Sequence, residues 1–472
     1  MRIRGFTLSR PDTSGILAIT LGVWSAAVAL VPSAVGKLAL IIPLFIAALF
    51  CWMILHPARW LVVFFFCLLL LPPLPLPLGD TGVHVAPLFA LLGGFVSLAW
   101  AREWSSWRHP LTVALGIFLG ALLESLLFAA LYSGWEVAAG SLARVALFAI
   151  GVFVFLFAYA GPGNDGWASF RITRALFWLA VPAAAFACAD FYFQFPAPGN
   201  YGDQFVYLQA GVFRRAQGLF YEASTLGNFC AFFLVMAMVC MFRRREETPL
   251  PRAALQFGVL ILAAALLFSY SRASVLNVVV AAIVLICTHL GRVRRSLILL
   301  LVTLVSMGFA IHLAAPSLSV NYWGRLLGSF SFFGESPDQV LSGRLGHWQT
   351  LYDFLAREPW HAVFGIGYKT LPHSNFIGSK VIADNTYIGL LIETGMIGMA
   401  AFIGLNIVIL RTGWIARGSP RPEARFFGEW IFCFWCGELV QMLSGDLITY
   451  WRVLPVYFWV LGTAARLTRE GT

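Results

Sequence analysis

The sequence predicts an all-α, polytopic integral membrane protein with about 12–14 transmembrane helices and a large outer loop that holds an amphipathic helix of its own. Three observations carry that prediction. Of the 472 residues, 60% are hydrophobic and only 11% are charged, with a mean hydropathy of +0.81. Soluble domains carry about 25% charged residues, so lipid must be part of this chain's solvent. The apolar residues also stand in long unbroken runs, such as 16–31 and 297–311. Barrel strands alternate over about ten residues instead. Finally, most arginines fall in the short segments between runs.

A span needs about twenty mostly apolar residues. Candidate spans occupy 14–34, 37–55, 59–76, 84–101, 110–132, 141–160, 171–191, 222–242, 253–269, 273–290, 296–314, 384–410, 426–443 and 447–466. The segment 1–10 is polar and basic, and no small-residue cleavage site follows the first run, so that run reads as a retained helix. The prolines from Pro72 to Pro77 mark an extended exit from the third span.

Placing the N-terminus in the cytoplasm puts nearly every basic cluster on one side. These are Arg59, then Arg102 and Arg108, Arg171 and Arg174, the run Arg243–Arg245 with Arg252, Arg292 to Arg295, Arg411 to Arg425, and Arg466 with Arg469. That asymmetry is the positive-inside rule, and it accounts for the net charge of +10 without invoking nucleic acid. Both termini are then cytoplasmic.

The chain divides into N-terminal helices (1–191), a first outer loop (192–221), further helices (222–314), a large outer loop (315–383) and C-terminal helices (384–472). In the large loop, Leu345, Trp348, Leu351, Tyr352 and Leu355 repeat at helical spacing, and Glu358-Pro359 stops the pattern. Loops of this length in compact proteins are usually functional. The eight cysteines all lie in apolar runs, so no disulfide framework is expected. Cys433 and Cys436 form a CxxC without partner ligands, and no metal site is expected.

Ionisable residues at a membrane edge are costly and therefore informative. Arg214 and Arg215 precede the eighth span, Arg272 sits in the small-residue turn Ser269–Ser274, and Arg344 opens the loop helix. Asp384 and Asn385 open the twelfth span, and Asp446, Tyr450 and Arg452 stand at the outer start of the last. Topology sets all of them at one depth on the outer side. Arginine forks match phosphate oxygens and stay charged when half desolvated, so several arginines there suit a diphosphate. A single arginine can equally meet a headgroup or a helix-end carbonyl, and Arg214 is read as headgroup-facing. Asp-Asn at a helix start is also an ordinary N-cap pair. Glu124, Glu393 and Glu438 lie deep in apolar runs, and Glu393 reads as structural.

Asp384-Asn385, nine residues, then Gly395-x-x-Gly398 resembles the signature of the O-antigen ligase and O-antigen polymerase superfamily. Arg272-x-x-x-Leu276 is similar to that family's arginine motif, and Arg344, Trp348, Glu358-Pro359 and Gly365-x-Gly367 resemble its large periplasmic loop. The resemblance covers roughly residues 210–410. It implies a bacterial inner-membrane glycosyltransferase with a periplasmic active face and no cofactor. The partners it implies are membrane lipids, a polyprenyl-diphosphate-linked oligosaccharide, and an acceptor glycan or lipid A core. Arg215, Arg272 and Asp384 would then be catalytic, and Arg344, Asn385, Arg452 and His373 would bind substrate. One departure stands out: the family has histidine where this chain has Asp384. Either the aspartate serves as base, or another residue does, with His373 in reserve because imidazole titrates near neutrality, or the activity has changed. Transfer would invert the anomeric centre and need no metal. The main alternative is a transporter or flippase of lipid-linked glycans, although no internal repeat of the transporter kind is present, and a second is a non-catalytic scaffold in an envelope complex.

Overall fold

In a bilayer every backbone polar group must be satisfied internally, so long apolar runs fold as helices. A computed structural model describes residues 22–74, 83–105, 108–161, 166–197, 204–208, 211–289, 316, 344–373 and 381–470. The span expected at 296–314 lies outside the described residues, as do parts of 14–34 and of both outer loops.

In chain order the described helices are α1 (Ala34–Leu55), α2 (Trp60–Leu70), α3 (Ala86–Ala99), α4 (Pro110–Ser133), α5 (Trp135–Ala160) and α6 (Gly166–Phe193). A short hairpin follows, β1 (Phe205–Leu208) and β2 (Gly211–Arg214). Then come α7 (Ala223–Met241), α8 (Arg252–Phe268), α9 (Arg272–Thr288), α10 (Arg344–Arg357), α11 (His361–Phe364), α12 (Thr386–Arg417), α13 (Pro422–Gln441) and α14 (Leu454–Arg469). Among the described residues, six helices are long and apolar enough to cross a membrane: α1, α4, α5, α6, α7 and α12. The apolar helices α2, α3, α8 and α9 are shorter. The fold is an all-α polytopic membrane bundle. Its hairpin, which pairs Phe205 with Arg214 antiparallel, was not foreseen from the sequence.

The bundle is built around α7, whose side chains from Ala223 to Cys240 are almost all buried. Its 19 residues span about 28 Å at about 1.5 Å per residue, close to a bilayer's hydrocarbon thickness. Helices α8, α9 and α13 surround it, α14 packs on α5, and α12 packs on α4 and α13. Small residues let these helices approach closely. A Cβ on Gly151 would lie 2.9 Å from the Phe458 ring, and one on Gly227 would lie 2.8 Å from the Ser274 hydroxyl. Leu127, Leu131, Phe257 and Ile407 stay exposed on the outer surface of the bundle, where a bilayer would cover them.

Cross-chain bonds define two ends. At one, Arg469 donates to the Ser105 hydroxyl at 3.0 Å, Arg466 to the Ser169 hydroxyl at 3.1 Å, Arg174 to the Pro249 carbonyl at 3.1 Å, and Arg243 to the Pro422 carbonyl at 3.3 Å. Among the described residues, the segments that carry Arg174, Arg243, Arg466 and Arg469 therefore share one end of the bundle, while the Arg292–Arg295 cluster lies outside the described residues. The residues singled out for chemistry lie at the other.

Candidate active site

Helix α7 begins at the chemical end, with Glu222 as its N-cap residue. Seven residues before Glu222, Arg215 leaves the hairpin. Its backbone N–H donates to the Gln204 carbonyl at 2.7 Å, and its Nε donates to the Ser269 carbonyl at 2.7 Å. The next amide, Ala216, donates to the Phe268 carbonyl at 3.0 Å. Arg215 is thereby fastened to the turn that carries Arg272. In that turn Tyr270 has φ of +50°, and Ser271 caps α9 by accepting the Ser274 N–H at 3.4 Å. Arg272 is the first residue of α9 and is half-buried. The turn packs on Gly227 of α7, so Arg215, Arg272 and Glu222 form one corner.

The neighbouring Arg214 does not face headgroups as the sequence suggested. It is buried, pairs with Asp190 at 2.6 Å and donates to the Phe195 carbonyl. An ionisable carboxylate at the end of α6 draws it inward, because a buried charge needs a partner. The two adjacent arginines thus have opposite fates.

The second wall comes from the large loop and α12. Helix α10 covers the stretch where the sequence predicted an amphipathic helix, with Leu351 and Phe354 buried beneath it. Arg344 at its start reaches Asp384, Nε to Oδ2 at 3.4 Å. Asp384 is half exposed and has φ of +44°, a conformation aspartate tolerates better than most residues. Asn385 caps α12, its side-chain oxygen accepting the N–H groups of Tyr387 at 2.9 Å and Ile388 at 3.1 Å. His373 is exposed at the end of a short 3-10 turn.

Glycines dock this wall. Helix α12 is broken at Gly395, where φ is +67° and ψ −171°. The break frees carbonyls of the preceding turn. Ile366 donates to the Ile392 carbonyl at 3.0 Å, and Gly367 donates to the Glu393 carbonyl at 2.9 Å. The buried Glu393 carboxylate accepts the N–H groups of Lys369 and Leu371. The Gly365-x-Gly367 and Gly395 motifs, 28 residues apart in the chain, are therefore two halves of one joint. A side chain at Gly395 would strike the Val363 carbonyl, in a backbone region that is essentially glycine-only. Gly395→Ala is expected to cost about 1–3 kcal/mol, the usual strain of such a conformation. Thermal unfolding monitored by tryptophan fluorescence checks this. Gly404→Ala is the control, because a Cβ there meets nothing within 4 Å.

The joint delivers Lys369, which the sequence reading passed over. Its ammonium pairs with Asp446, and its carbonyl accepts a bond from Arg144 at 3.2 Å. Burial holds the ammonium below the ordinary lysine range; Arg144 adds to this, while Glu393, Glu222 and Asp384 oppose it. Glu222 was passed over as well. Burial raises its carboxyl above the ordinary range and nearby Asp384 adds to the rise, against the Ser224 hydroxyl at 2.6 Å and the positive charges of Arg215 and Lys369. Glu222 thus lies within electrostatic reach of Arg215, Lys369 and Asp384. The signal available in the sequence was an acidic residue at a membrane edge seven positions after an arginine.

Arg452 stands apart from this cluster in its bonding. It is buried, donates to the Leu68 carbonyl at 2.6 and 2.8 Å and to that of Leu71 at 2.9 Å, and also bonds the Leu219 carbonyl. It ties the end of α2 to the segment leading into α7.

The arrangement combines cationic groups with two carboxylates, one of them disposed to hold a proton. Such a set can bind a polyanion and move a proton. Among the described residues no group of three or more His, Cys, Asp or Glu is disposed to hold a metal ion. A search of curated proteins finds no match to the chain. Residues 257–403, from α8 past the break in α12, match the family model described as O-antigen ligase.

Proposed function

We propose that the protein transfers a glycan from a polyprenyl-diphosphate carrier to an acceptor sugar during assembly of a surface polysaccharide. The observation that carries this reading is the meeting of the Arg215–Arg272 corner with Glu222, Lys369 and the Asp384–Arg344 pair at one end of the bundle. The opposite, arginine-rich end fits the cytoplasmic side of a bacterial inner membrane, which makes the catalytic face periplasmic.

In the proposed reaction the bond between the anomeric carbon and the diphosphate oxygen breaks. The polyprenyl diphosphate leaves with the bonding electrons. An acceptor hydroxyl attacks the same carbon from the opposite side, so the configuration inverts. Arg215 and Arg272 bind the diphosphate and stabilise the charge that develops on it, as fixed donors do in a partly desolvated site. Lys369 adds a point charge. These cations serve the role a metal ion would otherwise fill. The acceptor's proton passes to a carboxylate. Glu222 is the first candidate for base, because burial raises its carboxyl and a base works best with its pKa near the operating pH. Asp384, paired with Arg344 at the exposed rim, would orient the acceptor and is the second candidate for base. Asn385, His373 and Arg452 would shape the substrate path, Arg452 through the segments it ties together.

The absence of the family's histidine favours a polymerase of O-antigen or exopolysaccharide over a ligase. Purified protein mixed with a polyprenyl-diphosphate oligosaccharide, once with and once without lipid A core, tests both. A ladder of products without lipid A core is the expected gel result. A single core-linked product would make the protein a ligase. No product from either mixture, together with carrier movement across proteoliposomes, would replace the enzyme with a flippase.

A further inference from the structure

At the end of the bundle opposite the candidate active site, α7, α9, α12 and α13 open onto a cavity of about 390 Å³. We propose that this cavity binds a phosphate ester, independently of the glycan-transfer reading.

Charge is the first argument. Four arginines line the cavity, Arg243, Arg244, Arg417 and Arg425, against two carboxylates. Both carboxylates are committed. Glu429 is only 1% exposed and takes Arg243 at 2.7 Å and His289 at 3.1 Å. Glu247 lies 3.7 Å from Arg243 and 3.9 Å from Arg425. The lining therefore keeps an excess of two positive charges with His289 neutral. Arg244 is exposed and makes no ion pair among the described residues.

Geometry is the second argument. The Nε–H of Arg425 is buried and has no acceptor among the described residues. A buried donor left this way costs about 1–3 kcal/mol, and an anion in the cavity would relieve it. Arg417 is held rigidly, its guanidinium 4.6 Å from the Trp414 ring centroid and donating to the Thr288 carbonyl at 3.0 Å. An arginine fixed in this way loses little freedom when it also binds an oxyanion.

Depth is the third argument. Trp414 is 54% exposed and Ile415 is 49% exposed on the outer surface of α12, directly beside the cavity. Tryptophan at the end of a membrane helix marks headgroup level. A phosphate seated here is therefore either the headgroup of an anionic lipid or a soluble phosphate ester reaching the same plane.

The full-length protein tests this. It is reconstituted in phosphatidylcholine nanodiscs with or without phosphatidylglycerol, and native mass spectrometry counts retained phosphatidylglycerol. In parallel, thermal unfolding in phosphatidylcholine alone is followed as inorganic phosphate is added. The variants are Arg244→Gln, the double variant Arg244→Gln with Arg417→Gln, and Arg411→Gln as an exposed charge control outside the cavity. The double variant is expected to bind about ten-fold more weakly, equivalent to about 1.4 kcal/mol, and the control to match wild type. Arg244→Gln alone removes only an exposed group, so a folding defect in the double variant leaves the test intact. Loss of phosphatidylglycerol retention confined to the cavity variants supports the site with a lipid as its ligand. Loss of phosphate stabilisation confined to them supports it with a soluble ester. Equal behaviour of wild type and both cavity variants, or an equal loss in the control, overturns the proposal.

Discussion

Alanine at Arg215 or at Arg272 is expected to lower the rate of glycan transfer by about a hundred- to a thousand-fold, the usual cost of removing one fixed electrostatic donor. The turnover number should fall more than apparent affinity for the carrier. The reason is that leaving-group charge grows as the C–O bond breaks, so an arginine fixed beside the diphosphate matters most in the transition state. Arg215 is fixed by its 2.7 Å bond to the Ser269 carbonyl, within the turn that ends in Arg272. Lysine at either position should restore only part of the rate, because a point charge cannot reproduce a bidentate fork. The double alanine variant should lose less than the product of the two single losses, because both groups act on one diphosphate. Single-turnover assays with a fluorescent lipid-linked oligosaccharide give these values. Wild-type rates in both single variants, at normal protein levels, would remove the arginine corner from the mechanism.

Glu222→Gln carries the second large expectation, a loss of about a hundred- to ten-thousand-fold, the range for removal of a general base. The pH profile distinguishes this from a structural loss. Burial raises the Glu222 carboxyl, and only its ionised form can accept a proton. Activity in the wild type should therefore rise with pH through a limb lying above the ordinary glutamate range of about 4.3. Glu222→Asp should retain a limb, while Glu222→Gln should show none. The same shift has a sign for stability. The folded-state value lies above the unfolded one, so any contribution from this carboxyl is full below the unfolded value and is lost as pH rises through the folded value. If Asp384→Asn removes the limb and Glu222→Gln keeps it, Asp384 is the base.

The motif glycines show how a linear signal acquires physical meaning. Gly395-x-x-Gly398 and Gly365-x-Gly367 were visible as spacings, but the sequence did not reveal that they touch. The helix break at Gly395 exposes backbone acceptors that the Gly365–Gly367 segment fills. A buried break without such partners would leave polar groups unsatisfied in an apolar surround. Arg214 and Arg215 make the opposite point. As neighbours in a short hairpin they point to opposite sides, and only the position of Asp190 selects which one is drawn inward.

By itself the sequence determined the membrane class, the helical architecture and the gathering of arginines at one end, because hydrophobic run length and loop charge are local properties that a bilayer reads directly. It also marked Arg215, Arg272, Arg344 and Asp384 as residues of one membrane depth. Tertiary structure alone decided which of the charged groups meet. Glu222 and Lys369 acquired their significance from burial beside partners more than seventy positions away in the chain, Asp384 for the first and Asp446 for the second. Electrostatic environment depends on distance in space and on lost hydration, and neither is encoded in the spacing of residues along a strand of sequence.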